Sequence, residues 1–364
     1  MPFNAPEVGI VGGGAIGLAI AWRLLERGAR VDVYDRGAAG RGASWASAGL
    51  LSATAGHGAR DTPLDGLCRR GLAQWPAFAA ALEGASGIDV ALRTEGTLVV
   101  ALDEGAVARE RDALGTGQRW LTRAELAARE PALATASGAR FCPDDHQVDN
   151  RRLVMALLEA VRRAGGTVHE HAAGSVERGG ARPAIHTASG ARAYDVAIVA
   201  AGAWSADVVR ESEPLPVRPV MGQMLAVADP SDGPWLRHVV FTPSGYLVPR
   251  RDGRLLVGAT VEARGFDDTV TADGVAALLA DARRVIPALA GVAPIDTWAG
   301  LRPGSPDDAP LLGTLGGGVL AATGHYRNGI LLTPLTAALV AGLAFGEPLP
   351  AWAAPFAPGR FGAT

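Results

Sequence analysis

The segment from Val8 to Asp35 constrains the fold of this chain more than any other part of the sequence. Its residues VGIVGGGAIGLAIAWRLLERGARVDVYD predict a buried strand, a tight turn, a helix and a second strand. Gly12, Gly14 and Gly17 satisfy the spacing G-x-G-x-x-G. The first permits a sharp turn, the second lets the backbone approach a pyrophosphate, and the third lets the helix pack closely on the sheet.

The helix predicted from Ala15 to about Arg27 directs its free N–H groups and its positive dipole end towards this turn. Gly28 is a natural end for the helix. Asp35 lies at the end of the second strand, 18 residues after Gly17, where a carboxylate accepts hydrogen bonds from a ribose diol. A glycine-rich turn in an unrelated α/β protein is the alternative, but the strand, the helix and the acid all stand in the expected places. The segment therefore predicts a dinucleotide site.

Composition limits the remaining possibilities. A chain of 364 residues can bury a large core and hold two domains. The formal charge of −3 and a pI near 6.2 give no reason to expect a nucleic acid or a membrane surface as partner. All 34 basic residues other than histidine are arginine, which excludes Schiff-base or general-base chemistry by lysine.

No metal centre or secretion signal is predicted. Cys68 and Cys142 match no metal or redox spacing and are expected to be buried thiols in a reducing compartment. His169 and His171 are expected on one strand face without a third ligand. The first strand begins within a few residues of the N-terminus, and the apolar run from Leu331 to Phe345 is too short and interrupted to span a bilayer. We expect a soluble, cytoplasmic protein.

The rest of the chain predicts a second, discontinuous unit. Helices are expected over 61–82, 104–130, 153–164 and 275–286, and two short strands over 90–102. From residue 217 to 259, short alternating strands are joined by Pro, Asp and Gly turns, which indicates an antiparallel sheet. The predicted fold class is therefore α/β with an α+β second domain. A Rossmann-like domain over 1–88, 140–214 and 300–364 is interrupted by a substrate domain over 89–139 and 215–299.

Several motifs along the whole chain resemble a known family. VGIVGGGAIGLAIAW, AGAWS, LVGAT, AGLRPGSPDDAPLLG and GHYRNGILLTPLTA occur in the order seen in the FAD-dependent D-amino-acid oxidase superfamily. The motifs AGLRPG and GHYRNGILL look specifically like the bacterial glycine-oxidase branch, whose members supply an imine for the thiazole of thiamine. The resemblance implies non-covalently bound FAD, an interrupted FAD domain, an antiparallel substrate domain and often a homotetramer.

The resemblance also implies which residues contact FAD. The pyrophosphate is expected over the glycine turn, the ribose beside the acid that follows the second strand, and the isoalloxazine between a small-residue segment and the GHYRNGIL loop. A further glycine turn follows the strand YDVAIVAA, at the sheet edge where ligands lie. The predicted FAD-binding residues are Gly12, Gly14, Ala15, Ile16, Gly17, Asp35, Arg36, Ala43, Ser44, Ala48, Gly49, Leu50, Gly174, Gly202, His325, Tyr326, Arg327, Asn328, Gly329, Ile330 and Leu331.

Three further residues are expected to act on the substrate. Arg302 matches the position of a carboxylate clamp, for which the planar guanidinium fork is suited. Tyr246 matches a tyrosine that donates its hydroxyl to the substrate, although an interior tyrosine of the sheet is the plainer alternative. Arg327 either lies near the substrate or braces the flavin loop.

The resemblance implies oxidation of glycine and other small amines, such as sarcosine and small D-amino acids, with molecular oxygen as acceptor. Hydride transfer to flavin N5 gives an imine, which is hydrolysed to an oxo acid and ammonia. An amine dehydrogenase that uses another electron acceptor is the alternative. A flavoprotein without turnover and an NAD enzyme are further alternatives. The arginine clamp argues against the former, and the C-terminal flavin motifs argue against the latter.

Overall fold

The computed structural model describes residues 5–55, 61–210 and 213–362. These residues form strands that are numbered here in chain order. The strands are β1 (Glu7–Val11), β2 (Arg30–Tyr34), β3 (Leu50–Leu51), β4 (Thr97–Ala101), β5 (Arg119–Thr122), β6 (Gly138–Cys142), β7 (His146–Gln147), β8 (Thr167–His169), β9 (Ser175–Glu177), β10 (Ala184–Thr187), β11 (Gly190–Ala193), β12 (Val196–Val199), β13 (Arg218–Ala228), β14 (Val239–Phe241), β15 (Tyr246–Pro249), β16 (Arg254–Gly258), β17 (Asp296–Gly304), β18 (Leu311–Gly316) and β19 (Val319–Thr323).

Several of the α-helices begin at a side-chain cap. Thr62 and Asp65 form a reciprocal capping box at the start of the third helix, and the Asp149 carboxylate caps the sixth. The helices are α1 (Ala15–Glu26), α2 (Ala43–Ala46), α3 (Pro63–Ser86), α4 (Glu104–Asp112), α5 (Arg123–Arg129), α6 (Asn150–Arg163), α7 (Ala272–Val285) and α8 (Thr333–Ala344).

A six-stranded sheet forms the first layer, in the order β18-β19-β12-β1-β2-β8. All neighbours are parallel except β18, which runs antiparallel to β19. Helices α1, α3, α6 and α8 pack together over one face and bury a continuous apolar core. A mostly parallel sheet with a layer of helices fits the Rossmann-like unit that the glycine motif predicts, so the α/β expectation is confirmed.

A small three-stranded sheet, β11-β10-β9, covers the opposite face of the six-stranded sheet. Ile185 and Tyr194 press so closely on β1 that a Cβ at Gly9 would lie about 2.5–2.6 Å from both side chains. Short strands in this part of the chain were not among the sequence predictions, because a three-residue strand carries too little periodicity to stand out.

An eight-stranded sheet forms the second unit, in the order β17-β13-β16-β15-β14-β4-β6-β5. Its neighbours are antiparallel except for the parallel pair β14 and β4. Helix α7 packs on β13 and β16, α4 packs on β4 and β6, and α5 packs on β5 and β6. The predicted antiparallel sheet is therefore present, with one parallel pair inside it.

Three local predictions were wrong. A single strand, β4, replaces the two strands expected over 90–102. The helix expected over 104–130 is divided into α4 and α5 by strand β5, because Gly115 and Gly117 break the helix and Trp120 enters the sheet. His171 does not share the strand face of His169: it has a φ of 55° in the turn that follows β8. His169 instead hydrogen-bonds Asp32 at 3.0 Å.

Strand membership refines the expected domain boundaries. Strand β6 extends past the expected boundary at 140, and β17 continues beyond 300 to Gly304 within the eight-stranded sheet. We therefore propose that the dinucleotide unit resumes after Cys142 and again after Gly304. The discontinuous division itself stays a proposal.

Within the described ranges, no helix is long and apolar enough to cross a bilayer. No cluster of three or more His, Cys, Asp or Glu side chains in the same part of the chain is placed to hold a metal ion. Cys68 and Cys142 are both buried and unbridged, and burial raises their thiol pKa values to about 12 and about 11.

Candidate active site

A cavity of about 1660 Å³ runs between the carboxyl ends of the parallel strands and the eight-stranded sheet. It is larger than the 300–1,000 Å³ of most ligand pockets, as a dinucleotide with a substrate beside it requires. The walls come from the β1–α1 turn, the end of β2, the small-residue segment around α2, the loop before α8, and β13, β15 and β17.

The glycine turn has the geometry of a phosphate site. Gly12 has a φ of 113°, and a Cβ there would clash with the carbonyl of Ala200. Gly14 is the N-cap of α1 and has no side-chain cap. The nearest group to a Cβ at Gly14 would be the Ser44 hydroxyl, 3.3 Å away. The first-turn N–H groups of α1 therefore face a space in which backbone and an anion can meet closely.

Asp35 and Arg36 lie at the end of β2 beside this turn. The Asp35 carboxylate accepts hydrogen bonds from the N–H groups of Gly13 and Gly37, each at 2.8 Å. It therefore holds the glycine turn in place, and each oxygen keeps a further lone pair for a hydroxyl donor. The Arg36 guanidinium lies 4.3 Å from the ring centroid of Trp204, which also lines the cavity.

Residues 43–50, here called the wall segment, form one side of the cavity. The segment begins with α2 and ends in β3, and Gly49 turns the chain with a φ of 64°. The Ser44 hydroxyl accepts the N–H of Ala15 at 2.9 Å, which connects the wall segment to the start of α1. Small side chains at Ala43, Ala48 and Gly49 leave the cavity broad enough for a flat ring system.

The loop 324–331 forms the opposite side. Its Tyr326 N–H donates to the carbonyl of Pro303 at 2.9 Å, and the Trp75 indole N–H donates to the carbonyl of Leu331 at 2.9 Å. His325 is buried beside Thr336, with its Nε2 atom 3.0 Å from the hydroxyl. Burial lowers the pKa of His325 to about 3, so its imidazole is neutral at physiological pH.

Arg302 presents a cation to the cavity. Its Nη1 atom donates to the carbonyls of Met221 and Thr260, at 3.2 and 3.1 Å. Among the residues that the structure describes, no carboxylate forms an ion pair with this guanidinium. An arginine held by two carbonyl groups and lacking a protein anion is placed to bind the carboxylate of a ligand.

Tyr246 lies on β15 next to Met224 of β13, and both residues pair with Gly258. The Tyr246 hydroxyl is 3.5 Å from the thioether of Met224, which is a weak acceptor. Tyr246 and Met224 both line the cavity with Arg302. The hydroxyl is therefore available to a ligand that offers a better acceptor.

Arg327 lies at the rim and is exposed. Its guanidinium carbon is 5.3 Å from the ring centroid of the adjacent Tyr326. This position is compatible with both roles expected for Arg327, and we propose that it stays available to a ligand at the mouth of the cavity.

The structure brings together nearly all the residues that the sequence proposed. Every predicted site residue lines this one cavity except Gly17. A Cβ at Gly17 would clash with the carbonyl of Gly12. This glycine therefore allows close packing of the helix and does not contact a ligand in the cavity. Sequence reasoning missed further lining residues, of which Gly222 and Met224 share one face of β13 and were detectable from strand alternation. Others are Ser52, Phe241, Thr242 and Trp204.

A glycine turn at the start of α1 and a carboxylate after β2, both lining one large cavity at the carboxyl ends of parallel strands, define a dinucleotide-dependent enzyme. The cofactor class is FAD, and the chain is an FAD-dependent oxidoreductase. It belongs to the DAO family of FAD dependent oxidoreductases, whose family model matches residues 7–343.

Two glycine oxidases show the likeness in sequence. The chain is 37% identical over 354 residues to glycine oxidase of Geobacillus kaustophilus, covering 93% of this chain and 92% of that protein. It is 36% identical over 372 residues to glycine oxidase of Pseudomonas putida, covering 98% and 99%. The crystal structure of the Geobacillus enzyme superimposes with a TM-score of 0.92 at 35% identity, covering 98% of each chain.

A second type of relative is longer. The chain is 37% identical over 364 residues to the bifunctional protein ThiO/ThiG of Synechocystis, and the match covers 98% of this chain but only 54% of that protein. It therefore spans about half the length of this relative.

Proposed function

We propose that this protein is an FAD-dependent oxidase of glycine and other small amines, such as sarcosine and small D-amino acids. The products are the oxo acid, ammonia or an amine, and hydrogen peroxide. The observation that carries this proposal is the Arg302 guanidinium, which faces the cavity without a protein carboxylate. The similarity of nearly the whole chain to two glycine oxidases supports the choice of substrate.

The residues of the chain bind and orient the substrate. Arg302 holds the substrate carboxylate through its outward guanidinium edge, and Tyr246 donates its hydroxyl to the same group. A small amino acid held at its carboxylate leaves the Cα–H free to point at the flavin slot. FAD held by the β1–α1 turn, the wall segment and the loop 324–331 would supply the redox chemistry, as an acceptor for the hydride of the substrate Cα–H and a donor of electrons to oxygen. The amine proton leaves to solvent, and water hydrolyses the resulting imine.

The N-terminus of α8 contributes electrostatically. This helix begins at Thr333 directly after the loop 324–331 and has no side-chain cap. Its positive dipole end favours negative charge in the adjoining part of the cavity. His325 is neutral and bonded to Thr336, so we assign it a structural role and not proton transfer.

A role in thiamine synthesis follows from the longer relatives. The matching half of the ThiO/ThiG protein corresponds to this chain, so we propose that the imine made here supplies the thiazole of thiamine.

We also propose non-covalent FAD, a cytoplasmic location and a homotetramer. The two buried free thiols support a reducing compartment. Analytical ultracentrifugation tests the tetramer.

The test is an anaerobic titration of the yellow holoprotein. Glycine, sarcosine and D-alanine are added in turn while flavin absorbance is followed, and air is then admitted. Glycine should bleach the flavin, and air should restore the colour with one peroxide per turnover. Bleaching without recovery in air would instead establish a dehydrogenase. An Arg302→Met variant serves as control: it should keep FAD and be bleached by dithionite, but not by millimolar glycine.

A further inference from the structure

The carbonyl groups of the wall segment are held by side chains that lie outside the cavity. The Asn150 amide donates to the carbonyls of Ser44 and Trp45, both at 2.9 Å. The Trp298 indole N–H donates to the carbonyl of Ala46 at 2.9 Å. The carbonyls of Ser44, Trp45 and Ala46 are thus hydrogen-bonded by Asn150 and Trp298, whose side chains do not line the cavity.

Arg250 completes this set of contacts. Its Nη2 atom donates to the carbonyl of Ala48 at 2.9 Å and to Oδ1 of Asn150 at 2.7 Å, while Nη1 donates to the carbonyl of Val148 at 2.6 Å. Arg250 directly follows β15 of the eight-stranded sheet. One guanidinium therefore contacts the wall segment at Ala48, the Asn150 side chain that holds the first half of that segment, and Val148 in the link between β7 and α6.

The charge of Arg250 is buried without a direct counter-ion. The residue is 7% exposed, and no described carboxylate forms an ion pair with it. Burial lowers its pKa to about 10, an effect that the more distant Asp149 and Asp252 oppose, so the guanidinium is charged at neutral pH. The hydrogen-bond partners of Arg250 are neutral carbonyl and amide oxygens, which do not cancel its charge. Its electrostatic field therefore extends across the thin wall segment.

We propose that Arg250 is a positioning residue for the flavin: it holds the wall segment against the isoalloxazine ring, and its positive charge, which no direct ion pair neutralises, favours negative charge on that ring. This inference rests on the proposed function only in placing the isoalloxazine beside the wall segment. Arg250 does not line the cavity, so it acts through the carbonyl of Ala48 and through Asn150.

The test compares Arg250→Met and Arg250→Lys with Arg251→Met. Arg251 is the matched control, because its side chain is 59% exposed and lies 3.3 Å from Asp89 at the surface. Two quantities are measured: the Kd of FAD for the apoprotein, by quenching of FAD fluorescence, and the midpoint potential of the bound flavin, by anaerobic dye titration. Neither measurement requires turnover of an amine.

Arg250→Met should raise the Kd of FAD about tenfold or more, since hydrogen bonds from a charged donor are lost, and should lower the midpoint potential. The Kd of FAD for Arg250→Lys should lie between the values for Arg250→Met and the unchanged protein. Arg251→Met should leave both the Kd and the midpoint potential unaltered. Values for Arg250→Met equal to those of Arg251→Met would overturn the proposal. A raised Kd of FAD without any change in midpoint potential would also overturn it, because Arg250 would then have only a packing role.

Asn150→Ala decides the matter if Arg250→Met does not fold. This change frees the carbonyls of Ser44 and Trp45 and removes one acceptor of Arg250, so FAD binding should weaken several-fold. An unchanged Kd in a folded Asn150→Ala protein would overturn the proposal. If glycine fails to bleach the flavin, only the proposed function fails, because Kd and potential are still measurable with dithionite as reductant.

Discussion

The guanidinium of Arg302 lies directly against the backbone of Gly222. These residues are on neighbouring antiparallel strands, where Gly222 pairs with Gly300 and Arg302 pairs with Val220. A Cβ at Gly222 would lie 2.6 Å from Cζ of Arg302 and would clash with both terminal nitrogens. The absence of a side chain at Gly222 is therefore what allows Arg302 to lie flat on β13 with its outer edge in the cavity.

Gly222→Ala should accordingly displace Arg302 without unfolding the protein. The φ of Gly222 is not in the left-handed region, and a long side chain can move aside. We expect KM for glycine to rise about tenfold to a hundredfold while the Kd of FAD is unchanged, because the carboxylate loses a preformed bidentate partner. Steady-state kinetics and a FAD titration check this.

Gly84→Ala is the matched control for that substitution. Gly84 lies in α3, and a Cβ there would meet nothing within 4 Å, so KM should stay at its original value. A normal KM in Gly222→Ala would show that Arg302 does not need this position to bind the substrate.

Removal of the Arg302 guanidinium tests the clamp itself. Arg302→Met keeps much of the side-chain volume but loses the charge, so kcat/KM for glycine should fall about a hundredfold or more. Arg302→Lys should recover only part of the loss, because a point charge cannot bind a carboxylate with two parallel bonds. Flavin content should be unchanged in both variants. Kinetics like those of the unaltered enzyme would remove Arg302 from the site.

Tyr246→Phe tests the hydroxyl beside Met224. Among the residues that the structure describes, that hydroxyl has only the thioether of Met224 as a hydrogen-bond partner, so its loss should cost little stability. The effect should appear in kcat/KM, which we expect to fall about tenfold, the value of one hydrogen bond to a charged group. Thermal unfolding of the variant provides the control. A loss of stability with unchanged kinetics would instead assign Tyr246 to the sheet interior.

The sequence predicted the site better than it predicted the second sheet. Gly12, Gly14 and Asp35 depend on contacts within one βαβ unit, and local spacing is enough to find them. Arg302 and Tyr246 were identified by resemblance, because nothing local distinguishes them from other arginines and tyrosines. Strand β5 and the pairing of β13 with β17 depend on residues far apart in the chain, which single-sequence periodicity does not contain.

Gly222 and Arg250 show the same limitation at the level of single residues. Each contacts a residue far away in the chain. Gly222 lies against the guanidinium of Arg302, about 80 positions later, and Arg250 donates to the carbonyl of Ala48, about 200 positions earlier. A buried arginine that bonds only carbonyl oxygens has no sequence signature, so only the folded structure shows it.

Both cysteines should be unreactive in the folded protein. Cys68 and Cys142 are buried, and burial raises their pKa values to about 12 and about 11, so little thiolate forms at pH 8. A thiol-specific disulfide reagent should therefore label neither cysteine in the native holoprotein and both in denaturant. Fast labelling of the native protein would show that one of the two thiols is accessible.

His325 should make the protein sensitive to acid. Its pKa is about 3 in the folded state, because burial disfavours the imidazolium, and near 6.5 in the unfolded chain. Between these values the unfolded state binds one more proton than the folded state, so stability rises with pH and is lost as pH falls below about 6.5.

The loss should amount to about 1.4 kcal/mol per pH unit from this one residue, or about 2 to 3 kcal/mol between pH 6.5 and 4.5. His325→Gln cannot take up this proton, although its side chain still reaches towards Thr336. The free energy of unfolding, measured with urea at several pH values, should therefore fall less steeply for His325→Gln than for the unaltered protein. Parallel pH profiles for the two proteins would mean that His325 does not stay neutral in the folded state.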